Sequence, residues 1–214
     1  AEIYAESSID KFYAEINQAL KYAKRKKIID YNLLEDIIKP KSKIPEKEII
    51  PLTTKKQKIL SDYLFSLTLE EYKYKNVLLI QLYMGLRIGE ALGWKNEDID
   101  LKNKTMHIQR TVTENRKKEV ILGEMTKTEA GNRVLPIPNI IYEYVKEQVE
   151  LSKSHKDNLL FVNNDKLVRH SSINDQLKRR LINLDIYEKG LSTHSLRHTY
   201  ATRCIEGGMP AIVL

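Results

Sequence analysis

Cysteine and long apolar runs are scarce in this sequence of 214 residues. Cys204 is the only cysteine, so the chain cannot form an intramolecular disulfide, and a reducing compartment is its natural location. The longest apolar stretch, residues 77–86, is interrupted by Gln81 and is far shorter than the roughly 20 residues that span a bilayer. A signal peptide, an internal repeat and low-complexity segments are also lacking. These absences favour a soluble, intracellular globular protein.

Positive charge, by contrast, is in excess. Lys and Arg number 36 against 29 Asp and Glu, which gives a net charge of +7 and an isoelectric point near 9.2. This moderate excess suits a polyanionic partner such as nucleic acid, and it suits a merely soluble basic protein equally well. The basic residues form several small clusters, which favours contact with a nucleic-acid backbone at several points. The clusters are Lys24–Lys27, Lys39/Lys41/Lys43, Lys55–Lys56, Arg116–Lys118 and Lys178–Arg180.

The sequence divides into two parts joined by a linker. Residues 7–23 carry apolar side chains at three- and four-residue spacing, which predicts an amphipathic helix. Residues 39–51 contain three prolines, many charges and little periodicity, which is typical of a linker. We therefore predict a first domain at 1–40, a linker at 41–51 and a second domain at 52–214. Because the chain has no initiator Met and about 40 residues are few for a domain, we expect the beginning of the first domain to be missing.

The second part mixes predicted helices with fewer strands. Helical spacing occurs after Thr53, over Leu69–Met84, and after Pro138, Ser171 and Ser192. The helix at 69–84 is apolar nearly all round from residue 77 onward, so it should be buried. Strands are predicted at residues 105–112, 118–125 and 133–137.

The most informative stretch is His194-Ser195-Leu196-Arg197-His198. Residues three and four apart share a helix face, so His194, Arg197 and His198 should point broadly the same way. A proton carrier beside a permanent cation suits phosphate binding and proton transfer. Two alternatives stay open: an ordinary polar helix face, and a zinc site that uses both histidines. The usual zinc pattern, however, has a Glu directly after the first His and a third ligand, whereas Ser195 follows His194 here.

Two other cations are notable for their positions. Arg87 lies between the buried helix and an apolar turn, where a structural salt bridge with Glu90 is the ordinary interpretation. Lys127 lies in the turn-rich segment 126–132 between two predicted strands, and we expect it at the tip of a hairpin. A lysine at such a tip is ordinarily no more than solvated.

Taken together and in this order, these residues resemble the tyrosine recombinase family of the phage-integrase type. The matching stretches are Gly85–Leu92 with Trp94 and Asp98–Asp100, Thr126–Thr128 with Gly131–Arg133 and Leu135–Ile137, and His194–Thr202. The resemblance covers roughly residues 52–214, and residues 1–40 look like the last helices of the family's core-binding domain. The richness in Lys, Ile and Tyr is similar to that of integrases from conjugative transposons and temperate phages of Gram-positive bacteria.

The resemblance implies a mainly α fold with a small antiparallel β-sheet (α+β). It also implies a reaction in which a tyrosine attacks a DNA phosphodiester, releases a 5′ hydroxyl and leaves a 3′-phosphotyrosyl link. Arg87 and Arg197 would neutralise the phosphate oxygens, because each guanidinium presents paired donors in a fixed plane. Lys127 would protonate the leaving oxygen as general acid, and His194 would assist proton transfer at the nucleophile and hold the phosphate. Glu90 would orient Arg87, and His198 would be structural.

The family's partners and requirements follow from the same resemblance. One phosphodiester is exchanged for another through a covalent intermediate, so no cofactor, neither ATP nor an obligatory metal, is needed. The implied partner is double-stranded DNA, at element ends and at target or attachment sites, with a homo-oligomer on DNA in the intact protein and no membrane. The implied location is the bacterial cytoplasm. Predicted DNA-phosphate contacts are Lys24, Arg25, Lys26, Lys27, Lys178, Arg179 and Arg180.

The chain departs from the family at its C-terminus. In the family, the helix with the His and Arg leads on to the nucleophilic tyrosine, whereas none of the 12 tyrosines here lies downstream of Arg197 in the right place. Tyr200 belongs to the same helix and is better explained by packing. We therefore expect a fragment that binds DNA and cannot cleave it. A catalytically inactive DNA-binding regulator on the same scaffold is the alternative.

Overall fold

The computed structural model describes residues 3–45, 50–124 and 132–210. The chain separates into two compact units, Ala1–Glu48 and Ile49–Leu214. The helices described are α1 (Glu6–Arg25), α2 (Thr54–Ser66), α3 (Lys75–Met84), α4 (Ile88–Leu92), α5 (Asn139–Ser152), α6 (His170–Asn183) and α7 (Thr193–Glu206). The strands are β1 (Ile99–Asp100), β2 (Thr105–Ile108), β3 (Arg110–Glu114), β4 (Val120–Glu124), β5 (Arg133–Pro136), β6 (Val162–Asn163) and β7 (Lys166–Leu167).

The first unit consists of α1 and the segment that follows it. Helix α1 contains the whole of the predicted amphipathic stretch 7–23. The hydroxyl group of Tyr13 donates a hydrogen bond to the carbonyl oxygen of Leu34 at 3.1 Å. The side-chain amide of the buried Asn32 donates to Asn17 Oδ1 at 2.7 Å. These two contacts hold the returning segment against the helix.

Helix α3 lies at the centre of the second unit. Its residues 77–80 are at most 1% exposed, and it packs against α2, α4, α5 and α7. This agrees with a helix that is apolar nearly all round, because burial of each such side chain contributes about 1.5–3 kcal/mol relative to exposure. The N-terminal boundary was predicted less well. Residues 69–74 lie mostly in turns, and the helix begins only at Lys75.

The strands form three small antiparallel sheets. The first has the order β1-β2-β5, the second pairs β3 with β4, and the third pairs β6 with β7. The single strand predicted at 105–112 is therefore wrong, since it is divided between two sheets at Gln109. The reason is Asp98, whose buried carboxylate accepts from both Gln109 at 2.5 Å and Arg110 at 2.7 Å. Neighbouring side chains of an unbroken strand point to opposite faces and could not both reach it.

The architecture is α+β, mainly helical with small antiparallel sheets, as the resemblance implied. Within the described ranges, no helix combines the length and the apolar character that crossing a membrane requires.

Candidate active site

Arg87 is placed by the end of α3. Gly85 closes that helix with a φ of 65°, in the left-handed region that favours glycine, and its N–H donates to the carbonyl of Gln81 at 3.0 Å. The chain turns sharply here, so that Arg87 becomes the residue before α4. Its side chain is 60% exposed. The turn therefore presents a guanidinium to solvent from a backbone that is otherwise buried.

A second guanidinium reaches the same turn from α7. Nη1 of Arg197 donates to the carbonyl oxygen of Gly85, two residues before Arg87. Burial lowers the pKa of Arg197, and the nearby positive charge of Arg87 lowers this pKa further. A guanidinium stays protonated at neutral pH in spite of such shifts. The contact with Gly85 thus brings two permanent cations together from elements that are far apart in sequence.

Tyr200 secures α7 against the same glycine. A β-carbon placed on Gly85 would lie 2.2 Å from Tyr200 Cδ1, so the ring rests directly on the glycine backbone. Burial raises the pKa of Tyr200 to about 12, and a hydrogen bond with Cys204 contributes to the rise. The phenol is therefore both packed and hard to ionise, in agreement with the packing role predicted for it.

Glu90 lies beneath Arg87 and is 1% exposed. Its carboxylate accepts hydrogen bonds from the backbone N–H of Arg87 at 2.9 Å, from Arg87 Nη1 at 2.9 Å and from Arg133 Nη2 at 3.1 Å. Burial alone would raise the pKa of Glu90, but the hydrogen bonds and the charge of Arg133 outweigh burial and hold this pKa below its usual value. The predicted contact between Glu90 and Arg87 is therefore present.

His194 lies on the exposed side of α7, in the first turn. Its ring meets that of His198 edge to face, with centroids 4.6 Å apart and planes at 78°. Partial burial lowers the pKa of His194, and so do the charges of His198, Arg197 and Arg87. The lowered pKa favours the neutral imidazole, which can accept a proton beside the two arginines.

Lys127 lies outside the described residues, so its predicted role stays a prediction. The strands on either side of its segment are β4, which ends at Glu124, and β5, which begins at Arg133. Strand β4 pairs with β3, whereas β5 pairs with β2 in another sheet. Within the described part of the chain, β4 and β5 do not pair with each other. The expectation that they form a simple hairpin is therefore wrong.

The side chains predicted to contact phosphate differ in their exposure and in their contacts with the protein. Lys24–Lys27 are all exposed at the end of α1. Lys178 and Arg179 are exposed on α6. Arg180, however, stacks its guanidinium 3.3 Å from the ring centroid of Tyr72 and donates to a backbone carbonyl of its own helix. Three consecutive helical residues spread over about 200° of the helix circumference and cannot share one face. The phosphate contacts remain predictions, and this placement argues against one by Arg180.

Metal ligands are not grouped in the described ranges. No set of three or more His, Cys, Asp or Glu side chains there is arranged to hold a metal ion. The pair of His194 and His198 thus lacks a third protein ligand among these residues.

Comparison with known proteins identifies the family of the chain. The Phage integrase family matches residues 42–214. This chain belongs to that family. The match includes every residue of the candidate site, Lys127 among them.

Members of this family from several sources are similar to the chain. It is 28% identical over 162 residues to a XerC-like tyrosine recombinase of Caldanaerobacter subterraneus, covering 66% of this chain and 41% of that protein. It is 26% identical over 204 residues to the transposase of transposon Tn916 from Enterococcus faecalis, covering 86% of this chain and 47% of that protein. The chain thus spans less than half the length of these relatives.

Solved structures show the same fold. The Tn1549 transposon integrase in complex with transposon right end DNA superimposes with a TM-score of 0.81 at 20% identity, covering 97% of this chain and 69% of that one. The XerA recombinase superimposes with a TM-score of 0.58 at 21% identity, covering 97% and 65%.

Two features of this integrase-family site are not visible in the sequence pattern. Arg133 lies within a matching stretch, but nothing local connects it to Glu90, which is 43 positions away. The carbonyl of Gly85 is a backbone group 112 positions from Arg197, and no residue type signals that it will accept a hydrogen bond. The order of the family motifs was the only available signal for either contact.

Proposed function

We propose that this chain carries the phosphate-binding centre of a site-specific DNA recombinase, which breaks and rejoins DNA through a 3′-phosphotyrosyl intermediate as a mobile element integrates or excises. The observation that carries the proposal is the convergence of Arg87 and Arg197 on the Gly85 turn with His194 beside them. Two guanidinium groups and a neutral imidazole form a site suited to a phosphodiester.

The two arginines supply electrostatic stabilisation in this proposal. As the attacking oxygen adds to phosphorus, negative charge grows on the two non-bridging oxygens. Each guanidinium offers donors in a fixed plane, so the pair can neutralise that charge at modest reorganisation cost. The partly buried position of Arg197 strengthens its interaction with the anion, because less water screens it.

Proton transfer falls to His194 and Lys127. The lowered pKa of His194 favours the neutral imidazole, which can accept the proton of the attacking tyrosine while its N–H supports the phosphate. Lys127 donates a proton to the departing 5′ oxygen. In the reverse step the 5′ hydroxyl attacks the phosphotyrosyl bond and these proton transfers run backward, so the number of phosphodiester bonds is conserved.

The attacking tyrosine is not Tyr200. That phenol is packed on Gly85, and its raised pKa disfavours the phenolate. We propose accordingly that these 214 residues bind DNA without forming a covalent adduct of their own. Residues 1–40 would be the end of a core-binding domain, residues 41–51 a linker and residues 52–214 the catalytic domain.

The relatives support the partner that we propose. Their names include transposases, a phage integrase and Xer-type recombinases, and a structural neighbour holds transposon end DNA. Double-stranded DNA is therefore the proposed substrate, with a homo-oligomer on DNA and action in the bacterial cytoplasm. Exposed Lys24–Lys27, Lys178 and Arg179 would contact phosphates without reading sequence.

The test is incubation with a nicked duplex that carries the element end, analysed on a denaturing gel for an adduct and on a native gel for binding. Binding without an adduct is the expected result. Arg87→Gln and Arg197→Gln should weaken binding, whereas Lys146→Gln, which removes an exposed charge on α5, should weaken it less. An adduct would show that a tyrosine of these 214 residues attacks, and equal effects of all three substitutions would contradict the proposed centre.

A further inference from the structure

The two carboxylate oxygens of Glu90 have different partners. Oε1 accepts from the Nη1 of Arg87 at 2.9 Å. Oε2 accepts from the backbone N–H of Arg87 at 2.9 Å and from the Nη2 of Arg133 at 3.1 Å. The carboxylate is 1% exposed, so the protein supplies these partners in place of water.

The guanidinium of Arg87 and the carboxylate of Glu90 therefore do not form a two-bond pair. The two groups commonly pair through two parallel hydrogen bonds, because the planar fork of the guanidinium matches both oxygens. Here Oε2 is already occupied, and the Arg87 guanidinium reaches Glu90 through Nη1 alone. Among the described residues, Glu90 is the only hydrogen-bond partner of that guanidinium, which is also 60% exposed.

Arg133 is well anchored for this purpose. It is the first residue of β5, and its backbone is opposite Ile108 of β2 in the three-stranded sheet. Its charge also reaches the rest of the centre, since it contributes to the lowered pKa of Arg197. The side chain is 26% exposed, so it is directed mainly toward protein.

We infer that Arg133 is a positioning residue: by occupying Oε2 of Glu90, it limits Glu90 to one hydrogen bond with the guanidinium of Arg87 and leaves the other N–H groups of that fork for a phosphate. The inference rests on the proposed function, because it assumes that Arg87 binds a phosphate. Without Arg133, Arg87 would rotate onto both oxygens of Glu90 and lose the donors that face the ligand.

The experiment compares the wild-type chain with Arg133→Met, Arg133→Lys and the control Lys146→Met, which removes an exposed charge on α5. The Nε–Hε resonances of Arg87 and Arg197 are followed by NMR while inorganic phosphate is added. For Arg133→Met we expect the dissociation constant reported by Arg87 to rise about tenfold, the value of roughly one charge-assisted hydrogen bond. The control variant should bind phosphate within about twofold of the wild type.

A second measurement separates positioning from a general loss of positive charge. Rotation of the Arg87 guanidinium about its Nε–Cζ bond should slow in free Arg133→Met, because two hydrogen bonds to Glu90 restrain it more than one. Arg133→Lys keeps a donor at Oε2, so its phosphate affinity and its Arg87 rotation should stay within about threefold of the wild type. This variant also serves as the test if Arg133→Met does not fold.

The outcomes distinguish the two proposals. If phosphate shifts neither Arg87 nor Arg197 in the wild type, the proposed function fails. If it shifts both in the wild type and Arg133→Met binds with unchanged affinity and unchanged Arg87 rotation, the inference about Arg133 is overturned. A tenfold loss with slowed rotation in Arg133→Lys would overturn it as well, since that variant retains both the charge and the donor.

Discussion

The ring of Tyr200 rests on the backbone of Gly85, at a place where a β-carbon would lie 2.2 Å from its Cδ1 atom. The carbonyl oxygen of the same glycine accepts a hydrogen bond from Arg197, and the glycine precedes Arg87 by two residues. The packing of one aromatic ring on one glycine thus lies beside the turn that the two candidate phosphate-binding arginines share. A change at this contact should alter stability and site geometry together.

Replacement of Gly85 by Ala should therefore destabilise the second unit strongly. The positive φ costs about 1 kcal/mol for a residue with a side chain, and the contact with Tyr200 adds about 1–3 kcal/mol of overpacking. Gly190→Ala is a control for the backbone cost alone, because Gly190 also has a positive φ, of 106°, and a β-carbon added there would meet nothing within 4 Å. Urea unfolding should give a loss for Gly85→Ala about 2 kcal/mol larger than for the control, and equal losses would contradict the contact.

The pKa of His194 should lie below the ordinary value of 6.5. Since Arg87 contributes to this lowering, Arg87→Gln should raise the pKa, whereas Arg179→Gln should leave it unchanged. Because the folded state disfavours the protonated imidazole, the contribution of His194 to stability grows as pH rises through the window between its lowered pKa and 6.5. NMR titration of the histidine Cε1–Hε1 signals measures each pKa. A His194 pKa above 6.5 would refute the predicted electrostatics.

Glu90→Gln should lower the free energy of unfolding at neutral pH by about 2 kcal/mol, because it leaves two arginines without their buried carboxylate. This loss of stability is smaller than for a fully buried ion pair, since Arg87 is largely exposed and water can solvate its charge. Glu143→Gln, which removes an exposed partner of Lys146, should change stability by less than about 0.5 kcal/mol.

The pH dependence of that loss has a defined sign. The folded-state pKa of Glu90 is lowered, so its stabilisation is complete above the ordinary carboxyl value of 4.5 and is lost as pH falls below it. The wild type and Glu90→Gln should therefore converge in stability on acidification. Urea unfolding at a series of pH values checks this, and a difference that stays constant to low pH would be the contrary result.

The basic residues of α6 should separate into two kinds. Lys178→Met and Arg179→Met should each reduce by about one the slope of the logarithm of DNA affinity against the logarithm of salt concentration. Arg180→Met should leave that slope unchanged and instead lower stability by about 1–2 kcal/mol, through the lost stacking on Tyr72. Fluorescence anisotropy over a range of salt concentrations measures the slopes. A reduced slope for Arg180→Met would show that this residue reaches DNA.

The sequence by itself determined the local elements on which the site stands. The cap at Ser192 and the stop at Gly207 bound α7 as predicted, and Gly85 ends the buried helix. These features depend on hydrogen bonds and backbone preferences within a few residues, which a sequence pattern records directly. The order of the motifs around Arg87 and His194 was likewise enough to indicate the family.

Tertiary structure alone decided which of these groups meet. The strand predicted at 105–112 breaks because Asp98 binds two neighbouring side chains, and Arg180 turns inward to Tyr72 instead of outward with Lys178. Glu90 meets Arg133 across 43 positions, and Arg197 meets Gly85 across 112. Such contacts depend on how helices and sheets pack, and packing is a property of the whole core. Periodicity carries information about one element at a time, so it cannot specify a carboxylate shared between two elements.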